Sequence, residues 1–300
     1  MIDQMTPLSF HIAGLEFQVS GVPSLAALRL PAQFTDFYTP ADLPVARTDI
    51  HLQAGDPRDL PVGELLFDPH SIWRVYRHPT DPTGWAVRVG YPQGDNDETA
   101  EVQATLYATA DWSSVTLIEP MVAGEQAHSL LGVGVGELLL RARLLFADGL
   151  VFHSTGLNDN GKGLMFVGHS GAGKSTQTLL WSQEPGVVAM NDDRIAVRLT
   201  GDGPMAYGAP WGGSADIARN LKAPLHGIVV LEQAPDNILT PLTPANAVAL
   251  LMPRLFLPYW DGGMMTRAIT LLSRILDTVP VYRLQCRPER EVIDLVRAAL

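Results

Sequence analysis

Residues 168–176 read Gly-His-Ser-Gly-Ala-Gly-Lys-Ser-Thr, directly after the apolar run Gly163-Leu164-Met165-Phe166-Val167 and directly before the helix-like stretch Gln177-Thr178-Leu179-Leu180-Trp181. A buried strand that runs through glycines into a helix constrains this chain more than any other feature. The glycines let backbone N–H groups turn inward, and the helix N-terminus adds its partial positive charge. The spacing is that of a P-loop (Walker A), in which the loop cradles phosphate oxygens, Lys174 reaches the β- and γ-phosphates and the Ser175 hydroxyl ligates Mg2+. Lysine is rare here, present only at 162, 174 and 222, so a chance match is a poor rival. The expectation is a nucleoside triphosphate, ATP with Mg2+, held by Gly168, His169, Ser170, Gly171, Ala172, Gly173, Lys174, Ser175 and Thr176.

The surroundings of the motif suggest an α/β chain in two parts. Up to about residue 120, short runs rich in Val, Tyr, Trp and Thr alternate with Pro, Gly and Asp clusters. They predict an antiparallel, β-rich domain over 1–124, with strands at 72–77, 85–89, 101–109 and 114–118 and a hairpin loop over Pro79–Gly84. Glu119-Pro120 and Gly124 mark the boundary to a nucleotide-binding domain over 125–300. That part opens with leucines at helical spacing over 137–147. A strand at 150–152, a tight turn at Asn158-Asp159-Asn160-Gly161 and a strand at 164–167 follow, which is an antiparallel start unlike a parallel βαβ order. Further strands are expected at 186–190, 195–199, 228–231 and 281–284, and helices at 245–251, 264–276 and 289–300.

Composition narrows the partners. A formal net charge of −11 argues against a duplex nucleic acid or an anionic membrane, both of which attract clustered Lys and Arg. Cys286 is the only cysteine, so neither an intrachain disulfide framework nor a cysteine-rich zinc site can form. Asp3 stands where a secretory signal would be basic, and the run near Phe10–Val19 is broken by His11, Gly14 and Glu16, so the expected location is the cytoplasm. The oligomeric state is left open, a homo-oligomer included.

Asp192 and Asp193 lie 18 and 19 residues after Lys174, a distance that lets one helix return the chain to a strand beside the loop. Phosphoryl transfer uses a metal on the β- and γ-oxygens and commonly a carboxylate to accept the proton of the attacking hydroxyl, so two adjacent aspartates would divide those tasks. His153 sits on the strand whose hairpin partner enters the loop, where an imidazole would hydrogen-bond phosphate or tune a carboxylate. Pro210-Trp211-Gly212-Gly213 reads either as a surface turn with a packed Trp or as a flexible loop that would close over an acceptor. Arg194, Arg254 and Arg267 are candidates for the transferred charge.

A strand-borne His, a turn, Gly-x-Ser-Gly-x-Gly-Lys-Ser and a short helix returning to Asp-Asp together resemble the catalytic core of bacterial HPr kinase/phosphorylase, a relative of phosphoenolpyruvate carboxykinase. The likeness covers residues 150 to about 200. It implies a mixed-sheet P-loop kinase core and phosphoryl transfer to a serine hydroxyl of a protein or peptide. It also implies Ser175 and Asp193 as Mg2+ ligands, Asp192 as general base and His153 as the active-site histidine. Two other readings stay open: a nucleotide-sensing module without transfer, and a small-molecule kinase.

Overall fold

Alternation of inward apolar and outward polar side chains builds the first half of the chain into an eight-stranded sheet. The computed structural model describes residues 8–21, 32–38, 40, 43–69, 72–91, 101–120, 132 and 134–300. The strands are β1 (Leu8–Ile12), β2 (Leu15–Ser20), β3 (Ala46–Ala54), β4 (Leu65–Phe67), β5 (Trp73–Arg77), β6 (Trp85–Tyr91), β7 (Glu101–Ala108) and β8 (Ser114–Glu119). Their order is β1-β2-β3-β8-β7-β6-β5-β4.

The sheet is mixed rather than antiparallel as expected, because β2 pairs β3 and β3 pairs β8 in parallel. The physical reason is the connection: parallel neighbours need a crossover of a dozen or more residues, and the segment between β2 and β3 supplies it. Within that crossover lies a 3-10 helix, Ala32–Tyr38. The expected hairpin between β5 and β6 is present, with Arg77 facing Trp85 across the Pro79–Gly84 loop. The expected boundary residue Gly124 lies outside the described residues.

Helix α1 (Gly136–Leu145) is buried along nearly its whole length. Its Arg143 donates to Asp111 O in the β7–β8 turn at 3.2 Å, and its leucines join an apolar core shared by both halves of the chain. From there β9 (Gly149–Asp159) and β10 (Lys162–Val167) form the hairpin anticipated from Asn160-Gly161. Both turn residues have positive φ, 51° and 92°, as a two-residue turn matched to strand twist requires.

The chain continues through α2 (Lys174–Trp181), β11 (Val187–Asn191), β12 (Arg194–Thr200), β13 (Gly203–Gly208), β14 (Lys222–Gln233), β15 (Ile238–Pro241) and α3 (Pro244–Leu251). It closes with α4 (Gly262–Leu276), β16 (Val281–Cys286) and α5 (Glu291–Ala299). The second sheet is also mixed, with β14 parallel to β10 and β16 and the remaining pairs antiparallel. Long strands let it bend: β9 pairs β12 along its first half and β10 along its second, and β14 pairs β13 and then β10. The pairings β10–β9–β12–β13–β14–β10 therefore close on themselves.

A second, smaller apolar core lies under α2 and α5 and includes Phe166, Trp181, Val229, Leu284, Val292 and Val296. Helices α3 and α4 begin where sequence capping places them, with the Thr243 and Asp261 side chains accepting from Asn246 N and Met264 N. Among the described residues no helix is long and apolar enough to cross a membrane.

Candidate functional site

Strand β10 delivers the chain into the glycine loop, and the loop's shape depends on two glycines. Gly171 and Gly173 have φ of +79° and +103°, a region costly for residues with a Cβ, and Gly173 caps the N-terminus of α2 in that left-handed state. The Lys174 ammonium folds over the loop and donates to Gly168 O at 3.1 Å. Burial pushes its pKa down, Asp193 pulls it up and Arg254 pushes it down again.

The opposite wall comes from the β11–β12 turn. The returning strand β11 pairs with β9 and not with β10, whose other edge is taken by β14, so the acidic turn reaches the loop across the end of β9. Buried Asn191 builds that turn. Its Oδ1 accepts from Asp193 N at 2.7 Å and Arg194 N at 2.6 Å, and its Nδ2 donates to Ala209 O at 2.7 Å and Trp211 O at 3.1 Å.

The two aspartates have different surroundings. Asp192 is only 4% exposed and accepts from Gly213 N (2.7 Å), Ala215 N (2.7 Å) and Ile217 N (3.3 Å), so three of a carboxylate's roughly four acceptor sites are taken. Asp193 instead meets His153, with Oδ1 3.0 Å from Nε2, while its Oδ2 pairs with Arg194. Burial pushes the Asp193 carboxyl up. The His153 hydrogen bond and the charges of Arg194, His153 and Lys174 outweigh it and hold the group below the usual range. As a general base, then, Asp192 meets a physical objection, because its lone pairs already anchor the 213–217 loop.

These walls enclose a cleft of ≈ 340 Å³ lined by His153, Asp192, Asp193, Gly213 and Ser214 on one side. Of the nine expected loop residues, Ser170, Gly171, Gly173, Lys174, Ser175 and Thr176 line the other side. Gly168, His169 and Ala172 lie off it: the His169 ring is bonded to Ser170 O, and Ala172 is buried in the smaller core. Gly168 is needed there, since a Cβ on it would meet Ala172 Cβ at 2.7 Å.

Among the expected arginines, only two stand near this chemistry. Arg194 touches Asp193. Arg254 is brought up by the Met252–Arg254 turn, which runs along β9 through Phe256 N to Val151 O, and its charge is felt by Lys174. Arg267 is held elsewhere, by Leu145 O and Asp148.

The 210–213 loop does not present Trp211 as a lid. Trp211 is 6% exposed and packs edge-on against Phe34 of the first half, 5.9 Å between centroids. Its glycines serve close approach instead, since a Cβ on Gly213 would come within 3.0 Å of Asp192 Oδ2 and Asp193 Cβ. Sequence reading missed Asn191, Gly213 as a wall residue, and Glu137, whose Oε2 lies 3.0 Å from Arg194 Nε. Asn191 and Gly213 were within reach, one adjoining the acidic pair and the other in a noticed loop; nothing in the sequence points to Glu137.

No family model matches the chain, and no curated protein does. Among solved structures, the Hpr(Ser) kinase/phosphatase from Coxiella burnetii matches with 12% identity and a TM-score of 0.30, covering 50% of this chain and 95% of that one.

Proposed function

We propose that this chain is an ATP- and Mg2+-dependent kinase of the HPr-kinase-like class, transferring a phosphoryl group to a serine hydroxyl of a protein or peptide. The observation that carries the reading is the meeting of Lys174, Ser175 and the turned glycine loop with the His153–Asp193 pair in one cleft. A helix N-terminus with inward amides and a lysine suits a polyphosphate tail. A carboxylate-held imidazole facing it suits an acceptor proton.

Mg2+ fits the residues present. Among the described residues no three His, Cys, Asp or Glu side chains gather as a self-sufficient metal site. Mg2+ is held in kinase sites by one or two carboxylates together with substrate phosphates, and Ser175 and Asp193 would hold it here. When bound, it supplies neutralisation of charge on the β- and γ-oxygens.

The chain's own groups divide the remaining work. Lys174 and Arg254 set positive charge where the transferred group gathers negative charge. Asp193 orients the His153 ring through Nε2, which leaves Nδ1 to accept the serine proton, so in this reading His153 takes the role of base first assigned to Asp192. Asp192 holds the 213–217 loop against the turn.

Incubation of the purified protein with γ-labelled Mg·ATP and a cell lysate tests the reading, with mass spectrometry of the labelled acceptor. A phosphoserine product supports it. The nucleotide-sensor reading draws on a specific observation, that both aspartates are already engaged within the protein. Tight Mg·ATP binding with no product over hours would favour it.

A further inference from the structure

Behind the cleft, the charge pairing does not stop at Arg194. Glu137, in the first turn of α1, is 4% exposed, and its Oε2 lies 3.0 Å from Arg194 Nε, a charge contact outside hydrogen-bond geometry. Arg194 in turn pairs with Asp193 Oδ2, and Asp193 Oδ1 meets His153 Nε2 at 3.0 Å. Four side chains from three segments thus form one polar chain that runs from the core to the cleft wall.

A second guanidinium depends on the same carboxylate. Arg141, one helical turn after Glu137, is enclosed by the faces of Trp73 (4.6 Å to the ring centroid), Phe256 (5.8 Å) and Trp260 (5.9 Å). Burial pushes its pKa down to about 10, Glu137 opposes that shift and Arg194 adds to it. Glu137 is therefore the carboxylate shared by two partly buried cations that repel one another. Phe256 closes the arrangement, with the Arg194 guanidinium 5.6 Å from its centroid and the His153 ring stacked on it at 6.3 Å and 27°. Removing the negative charge of Glu137 leaves Arg141 without its carboxylate and Arg194 with Asp193 alone, and of the two Arg194 is the one whose displacement reaches the cleft.

We propose that Glu137 is a positioning residue: by fixing Arg194 it sets the orientation of Asp193, and through Asp193 the hydrogen bond that aims His153 into the cleft. What that orientation accomplishes rests on the kinase reading; that it exists does not.

The test therefore has two arms. In nucleotide-free protein labelled with 15N-histidine, the ring N–H of His153, identified by its loss in His153→Asn, is expected to exchange slowly. In Glu137→Gln that signal should broaden or vanish, while far-UV circular dichroism and the other histidine signals stay unchanged. In the second arm, transfer of label from γ-labelled Mg·ATP to the serine acceptor should show kcat lowered about 10- to 100-fold in Glu137→Gln with KM changed less than about threefold. Glu137→Asp, which keeps the charge, should restore part of the loss. Placed on Arg194→Gln, the Glu137→Gln change should add less than about twofold, since both act through one contact.

An unchanged His153 signal in folded Glu137→Gln overturns the proposal, as does a fully multiplicative double variant. If Glu137→Gln does not fold, Glu137→Asp decides: a weakened signal supports the proposal and a wild-type one overturns it. A parent protein that neither binds nor turns over Mg·ATP defeats the kinase reading, and the histidine arm then settles the positioning role alone.

Discussion

Strand β9 carries one charge network at its Asp159 end and another at its middle, at His153, and the two use the same residue types for different purposes. At the Asp159 end, Arg297 grips the Asp159 carboxylate with two hydrogen bonds, at 2.8 and 2.9 Å, and also reaches Glu184, which Arg290 meets at 2.9 Å. Each acid there has a base, and the result is a staple from α5 to the β9–β10 hairpin and the residues after α2. At His153, pairing through Asp193, Arg194 and Glu137 is just as close, yet Lys174 lines a cleft beside it and feels the charge of Arg254. Both networks have a hollow, ≈ 220 Å³ at Asp159 and ≈ 340 Å³ at His153. Only the second combines a lysine with a glycine loop and a helix N-terminus. Those inward-turned amides, rather than the count of charges, separate a ligand site from a structural one.

The strongest way to break this contrast is to remove the loop's lysine. Lys174→Ala is expected to weaken Mg·ATP binding by at least about 100-fold by calorimetry, whereas Arg297→Ala should leave it unchanged. Equal binding in parent and Lys174→Ala would erase the distinction between the two networks. Next in size, Asp193→Asn loses both the His153 contact and the charge opposite Arg194. Turnover should fall about 100-fold or more while nucleotide affinity moves far less, a split readable from single-turnover transfer of label to the acceptor.

How far these networks could be read in advance follows from sequence distance. The glycine loop was legible because its parts are contiguous, as was the Asn160-Gly161 turn. Strand β3 was not, since it buries only alternate positions and one of them is Thr48. The parallel pairing of β2, β3 and β8 escaped because it is set by a long crossover and not by local composition. Within the site, His153, Asp193 and Lys174 were named from their spacing and the structure brings them together. The partition between Asp192 and Asp193 was beyond reach, because the amides that claim Asp192 lie at Gly213, Ala215 and Ile217. The choice between a packed Trp211 and a lid was open for the same reason, its partner Phe34 being far away in the chain.

A smaller effect sharpens the division between the aspartates. Gly213→Val would press a branched side chain onto Asp192 Oδ2 and Asp193 Cβ, costing about 1–3 kcal/mol of stability in urea unfolding. A Gly213→Val protein as stable as the parent would mean that the loop is not held against the acidic turn.

The smallest effect belongs to the Asp159 end. Arg297 is 31% exposed, so solvent screening limits its pair with Asp159 to about 1 kcal/mol or less. The Arg297 hydrogen bond, opposed by burial and aided by Asn160, Arg297 and Lys162, holds the Asp159 carboxyl below its ordinary 3.8. A depressed carboxylate stabilises the fold above its unfolded pKa and loses that contribution as pH falls through the folded value. The gap in urea midpoint between parent and Arg297→Ala should therefore be full at neutral pH and shrink below about pH 3.8. A gap independent of pH would mean that Arg297 stabilises through its packing over Trp181, 5.3 Å from the ring centroid, rather than through charge.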